Sequence, residues 1–324
     1  MKILNYIGLI VVLSTLGILF KRSQSKYDPD EELKRNDLVK KYLLNDNIIY
    51  GKPNLWIFVK KELNSRNWNS FGSRMNNDVN KPYIRVCIES IIKYNQDDFN
   101  IFIVNDNSFS NLLKDWNIII DNIPDPIKGN VRRLGIAKLL YEYGGISVSR
   151  SFLCNKNLSK FYMNEVKGNN MFCVENVNKS TNQLKDEFLP DDKIIGCNKS
   201  NEKMGEYVKY IEKTIKEDNS NESKITGNFR YWLNEEAKKF NIKVVNGKMI
   251  GIKDKYDKLV SLEDLMGESI ISFCNFTIGQ YVEEDDLEKR TKYKWFNRLS
   301  KKQLFESNTV FGNLMLLSHG ELKY

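Results

Sequence analysis

Residues 130–154, NVRRLGIAKLLYEYGGISVSRSFLC, decide the fold. Val131, Leu134, Ala137, Leu140 and Tyr141 recur at helical spacing. Gly144-Gly145 then stops the helix, because only glycine takes up a left-handed backbone without a steric cost. Residues 146–148 follow as a short apolar run, the pattern of a buried strand. A helix that ends in Tyr143-Gly144-Gly145 and turns at once into such a strand puts Ser149, Arg150 and Ser151 at a strand end, where ligands gather in open α/β sheets.

The segments on either side fit the same plan. Residues 55–59 are apolar and rich in strand formers, a first buried strand. Pro82 suits the first turn of a helix, and Tyr83, Val86, Cys87, Ile91 and Tyr94 mark one face of it. Residues 99–104 are the next strand, running into Asn105-Asp106-Asn107-Ser108, which serves both as a strand-end loop and as the cap of a helix through Leu112 and Leu113. The order strand, helix, strand, helix, helix, strand implies parallel strands covered by helices. Further on, residues 170–174 and 194–197 read as strands, and residues 202–216 and 224–240 as helices. Residues 242–245 and 248–252 read as a hairpin around Asn246-Gly247. Ser300 with Gln303 makes a capping box that opens a C-terminal helix.

Taken in order over residues 55–162, these elements resemble the glycosyltransferases that carry a D-x-D signature in a Y-G-G-I-Y-x-D-x-D context, including capsular-polysaccharide and mannosyltransferase-like members. The S-x-S-F-L-C-x-K-N-L version beginning at Ser149 is similar to membrane-anchored members found in very large DNA viruses. The resemblance implies an A-type glycosyltransferase-like α/β fold, with a mostly parallel nucleotide-binding sheet covered by helices. It also implies a nucleotide-sugar donor and a glycan or protein acceptor. In the family two aspartates hold a manganese or magnesium ion against the donor diphosphate. Here Ser149 and Ser151 stand in their place. The family's Ser-Asp pair and following Arg on the preceding helix are Arg132, Arg133 and Ile136. Three elements of the motif therefore depart together.

Serine hydroxyls are poor ligands for a hard divalent cation, so no metal cofactor is expected. Arg150, between the two serines, could neutralise a diphosphate through its guanidinium, or be a salt-bridged residue left behind after the site decayed. Arg132 and Arg133, near a helix N-terminus, could receive phosphate or face water. Asp106, after the second strand, could meet a nucleoside or cap a helix, with Asn105 and Ser108 as rival caps. The donor-binding set is thus Asp106, Arg132, Arg133, Ser149, Arg150 and Ser151, on the structural frame of Tyr143, Gly144 and Gly145. No catalytic base stands out. His319 is the sole histidine, close to the C-terminus, and a Ser/His/Asp triad has little to rest on. The pairs Tyr231-Trp232 and Trp295-Phe296 could stack on sugar or pack in the core. Both a divergent transferase and a catalytically silent member of the fold, kept as a binding or structural module at a membrane or virion, fit this pattern.

The chain of 324 residues is 41% hydrophobic and 12% aromatic, enough to build a sizeable core. Its net charge of +8 comes from interspersed rather than blocked charges. No basic repeat with stacking aromatics, zinc-finger spacing or recognition helix is present, so nucleic acid is not an expected partner. The five cysteines form no C-x-x-C pair, which points to reduced thiols. Residues 3–20 are an apolar run with Lys2 before it and Lys21-Arg22 after it, just long enough to span a bilayer. No small-x-small cleavage site follows, which favours an uncleaved anchor over a signal peptide. The expected organisation is a transmembrane anchor at 1–22, a polar stem at 23–50 with a helix over 31–44, and a glycosyltransferase-like domain at 51–324. Flanking charge favours a cytosolic body for this single-pass protein, whereas analogy with Golgi-type transferases puts the body in a lumen.

Overall fold

The structure, a computed structural model, describes residues 51–60, 81–125, 127–178, 187–217 and 222–320, with only the backbone considered for 222–228. The expected anchor and stem lie outside the described residues. Among the described residues no helix is long and apolar enough to cross a membrane.

The chain runs β1 (Asn54–Phe58), α1 (Pro82–Asn95), β2 (Asn100–Val104), α2 (Ser108–Leu112), α3 (Ile127–Tyr143), β3 (Gly145–Val148), β4 (Phe152–Cys154) and α4 (Ser159–Glu165). It continues through β5 (Phe172–Val177), β6 (Phe188–Cys197), α5 (Glu202–Lys216), α6 (Glu222–Lys238), β7 (Lys243–Val245), α7 (Leu262–Met266) and β8 (Gly279–Tyr281). The last helices are α8 (Glu284–Lys289), α9 (Lys301–Phe305) and α10 (Val310–His319). Among the described residues six strands form one sheet in the order β2-β1-β3-β6-β5-β7, and β4 pairs with β8 in a separate ribbon.

This is an α/β fold with a mostly parallel central sheet. β1 lies parallel to both β2 and β3, and β5 parallel to β7, while β6 runs antiparallel to β3 and β5. The three adjacent parallel strands read as continuous apolar runs because helices cover both faces. On one face Trp56, Phe102, Phe109, Leu134, Leu140, Ile195 and Tyr207 share a core cluster. On α1 the apolar stripe of Tyr83, Ile84, Cys87 and Ile91 is buried.

The Gly-Gly step is what allows β3 to lie against β1. Both glycines have positive φ, +69° at Gly144 and +106° at Gly145. A Cβ on Gly145 would stand 2.1 Å from the Asn54 carbonyl oxygen. Two hydrogen bonds pin the turn: Trp56 Nε1 donates to the Gly144 carbonyl at 2.9 Å, and the Tyr143 hydroxyl to the Leu112 carbonyl at 2.5 Å.

The expected hairpin around Asn246-Gly247 does not form. β7 pairs in parallel with β5, and residues 247–250 make a 3-10 turn. The Asn246 side chain accepts from the Lys248 amide at 2.9 Å and Glu175 Oε2 from the Gly247 amide at 2.8 Å, so side chains take the donors that a hairpin ladder would need. The capping box at Ser300 and Gln303 is present and opens α9.

Among the described residues five non-glycine residues have positive φ, and the bulkiest of them is Phe240. Phe240, just past α6, has φ +58° and is 94% exposed, in the left-handed place after a helix that glycine usually fills. A left-handed conformation costs an L-residue roughly 1–2 kcal/mol, and no packing offsets it here. Phe240→Gly is therefore expected to raise stability to urea by about 1 kcal/mol, a gain reduced by the freer unfolded chain. An unchanged or lowered midpoint would show that the exposed ring makes a contact of its own.

Candidate functional site

The carboxyl ends of β1 and β3 open into a cleft of about 350 Å³. Phe58 and Lys60 follow from β1, Ser149, Arg150 and Ser151 from β3, and Asn130, Arg132, Arg133 and Ile136 from α3. The lining also includes Asp192 and Lys193 of β6, Tyr207 of α5, Tyr281 of β8, and Glu283, Glu284 and Asp285. Tyr143, Gly144 and Gly145 lie at the other end of β3 and serve the backbone turn rather than the cleft.

Residues 149–152 form a β-turn closed by the Phe152 amide on the Ser149 carbonyl at 3.0 Å, with Arg150 and Ser151 at its centre. The Ser149 and Ser151 hydroxyls are 3.1 Å apart and hydrogen-bond to each other. This donor set, two neutral hydroxyls flanking a guanidinium, does not suit a hard dication. Among the described residues no group of three His, Cys, Asp or Glu side chains is arranged to hold a metal.

Each arginine of the cleft has a carboxylate. Arg150, 4% exposed, donates through Nε to Glu284 Oε2 at 3.0 Å and through its terminal nitrogen to Oε1. Lys81 Nζ donates to Glu284 Oε1 at 2.8 Å. Burial works against the Glu284 charge, but Arg150 and then Lys81 outweigh it, holding this carboxyl at about 2. Arg132 grips Asp106 with two parallel bonds of 2.8 and 2.6 Å, and its guanidinium lies over the Phe58 ring. Arg133 donates to Asp192 and, at 3.2 Å, to Asn130 Oδ1, and lies 4.4 Å from the centre of the Phe229 ring. The Tyr207 hydroxyl also donates to Asp192, at 2.9 Å. Lys193 meets Glu283 at 3.2 Å, and the Tyr281 hydroxyl donates to the same carboxylate at 2.9 Å.

The cleft is consequently balanced in charge. Lys60, Arg132, Arg133, Arg150 and Lys193 face Asp125, Asp192, Glu283, Glu284 and Asp285. Burial also pushes the hydroxyls of Tyr207 and Tyr281 well above the ordinary tyrosine range, so both stay protonated as hydrogen-bond donors.

The expected donor-binding residues reach this cleft in different ways. Arg132, Arg133, Ser149, Arg150 and Ser151 line it. Asp106 is behind Arg132 and orients it. The capping task at this loop falls to Asn105, whose Oδ1 accepts from the Asn107 and Ser108 amides at 3.0 and 3.1 Å. α3 begins at Ile127, so Arg132 and Arg133 sit in its second turn rather than at its N-terminus. Of the aromatic pairs, Phe296 is fully buried, and Trp232 stacks on Tyr207 at 5.0 Å without lining the cleft. His319 lies 3.1 Å from Glu89, away from the cleft. Cys87, Cys154, Cys173 and Cys197 are buried free thiols; burial pushes Cys154 and Cys197 up to about 12, which makes them poor nucleophiles.

Asp192, Lys193, Tyr207, Tyr281 and the acids at 283–285 escape a reading of the sequence. The one signal available is the run of carboxylates at 283–286. Nothing local connects Glu284 to Arg150, 134 positions earlier.

No protein-family model matches the sequence, nor does any curated protein. Among solved structures, the chain is similar to the apo glycosyltransferase GlyE of Streptococcus pneumoniae TIGR4, with a TM-score of 0.36 and 11% identity over 61% of this chain and 46% of that one. It is similar to the PaToxG glycosyltransferase with a TM-score of 0.36 and 13% identity, over 58% of this chain and 70% of that one. The galactosyltransferase LgtC, solved with donor and acceptor sugar analogues, matches with a TM-score of 0.33 and 9% identity, over 61% of this chain and 75% of that one. The chain thus spans less than half of GlyE. At these scores the likeness assigns no residue a role.

Proposed function

We propose that this chain is a divergent, membrane-anchored protein of the A-type glycosyltransferase kind, which holds a nucleotide-sugar donor in the cleft without a metal ion and passes the sugar to a glycan or protein acceptor. The observation that carries the reading is the placement of Arg150 at the centre of a strand-end turn, on the wall of the cleft at the carboxyl ends of β1 and β3, with Arg132 and Arg133 also lining it. A guanidinium there supplies the positive charge that a dication would otherwise bring to a departing diphosphate. In the transfer the acceptor oxygen bonds to the anomeric carbon as the bond from that carbon to the phosphate oxygen breaks. The acceptor's proton passes to water, and the electron pair leaves with the nucleoside diphosphate.

A second reading has its own support. Every arginine of the cleft is already bound to a carboxylate, as expected of a silent module that keeps the fold and not the turnover. Calorimetric titration with a panel of nucleotide sugars tests the first reading. Binding is expected at equal affinity with manganese and with EDTA, and is expected to weaken about tenfold or more in Arg150→Lys, which keeps the charge but loses the planar fork. Binding that requires manganese would overturn the metal-free site. Metal-independent binding without sugar release in the presence of acceptors would favour the silent module. The anchor is tested separately: full-length protein should stay with membranes through alkaline carbonate extraction, and release by carbonate would remove residues 3–20 as a span.

A further inference from the structure

The Arg150 guanidinium is buried, and Glu284 already grips it in the two-point manner a phosphate would use. An incoming phosphate cannot share that fork without meeting the carboxylate at contact distance. Simple expulsion of Glu284 would leave a buried carboxylate without a counter-ion, which costs several kcal/mol. The structure supplies a way round this. Lys81, at the start of α1, holds the same carboxylate from the side, at 2.8 Å on Oε1, and also meets Glu288 one turn further along α8. A carboxylate with two cations can give up one and keep the other.

Resting on the reading of the cleft as a diphosphate site, we infer that Glu284 is an internal stand-in for the ligand's phosphate, a latch that occupies Arg150 in the empty protein and is handed to Lys81 when a nucleoside diphosphate binds. The exchange replaces one anion on Arg150 by another, so the buried guanidinium is never left bare. Glu284 opens the six-residue helix Glu284–Lys289, and Lys81 already bonds its Oε1, so the exchange brings in no new partner for the carboxylate. The latch also favours ligands with a true phosphate group over those with a single weakly basic oxygen, since only a full anion competes with a carboxylate.

Two substitutions of opposite sign test this. The probes are the diphosphates of uridine, guanosine, adenosine and cytidine, with inorganic pyrophosphate alongside, titrated into the full chain in EDTA. Glu284→Gln removes the competitor and is expected to tighten binding about tenfold. Lys81→Met removes the receiver while leaving the Arg150 pair intact, and is expected to weaken binding by a similar factor. Native protein that binds, with Glu284→Gln no tighter or Lys81→Met no weaker, overturns the latch and leaves the cleft reading standing. Folded native and Glu284→Gln proteins that both fail to bind any probe remove the cleft reading, and the latch with it. Should Glu284→Gln not fold, Lys81→Met decides: weaker binding supports the latch and unchanged binding overturns it.

Discussion

Gly145→Ala is expected to cost more than about 3 kcal/mol, a large share of the stability of an ordinary domain, and to leave little soluble protein. Two effects add. The backbone at Gly145 has φ +106°, a region that side-chain-bearing residues rarely adopt, and the new methyl group would stand 2.1 Å from the Asn54 carbonyl oxygen. That neighbour is backbone of β1, paired in register with β2, so it cannot move aside without breaking the sheet. Gly129→Ala in α3 is the internal control, with no atom within 4 Å of the added methyl; it should be neutral or stabilising by up to about 1 kcal/mol. Urea denaturation of both variants checks the pair. A Gly145→Ala protein within 1 kcal/mol of native would mean that the strands approach less closely than the structure has them.

Arg150→Ala should be the second severe change, destabilising by about 1.5–3 kcal/mol, because it deletes a buried two-point bond to a charged group while Lys81 still keeps the Glu284 carboxylate paired. The double change Arg150→Met with Glu284→Leu should recover most of that loss, since a buried ion pair replaced by apolar groups of similar size is often neutral or better. Equal losses in the single and double variants would show that the pair matters through something other than its charge. The same carboxylate sets an acid limit. Its folded value of about 2 lies below the ordinary 4.5, so its contribution is complete above about pH 4.5 and is lost as pH falls towards 2. That contribution is on the order of 3 kcal/mol, and Glu284→Gln should flatten the corresponding part of a stability-versus-pH curve.

The frame of the fold was legible because its signals are local. The apolar runs that become β1, β2 and β3, the stripe on α1, and the Gly-Gly stop all lie within a few residues of the structure they determine. The strand pattern at 194–197 covers only the end of β6, because Asp191, Asp192 and Lys193 interrupt any apolar pattern before it. Those charges belong in the sheet because partners elsewhere hold them. Asp191 receives Arg230 and, at 2.9 Å, the side-chain Nδ2 of Asn176, while Asp192 receives Arg133 and Tyr207. The hairpin at Asn246-Gly247 failed for a related reason, since Glu175, some 72 positions away, captures the donor of the turn.

The sequence by itself determined that the helix through Val131 and Tyr141 must stop at two glycines, that a buried strand must follow, and that Ser149, Arg150 and Ser151 must emerge where that strand ends. Backbone sterics and apolar periodicity act over a few residues and need no knowledge of the rest of the chain. The tertiary structure alone decided which charge meets which: Asp106 with Arg132, Asp192 with Arg133, and Glu284 with both Arg150 and Lys81. An ion pair in a buried cleft depends on position in space and on the water excluded around it, and neither is written in the spacing of residues along the chain.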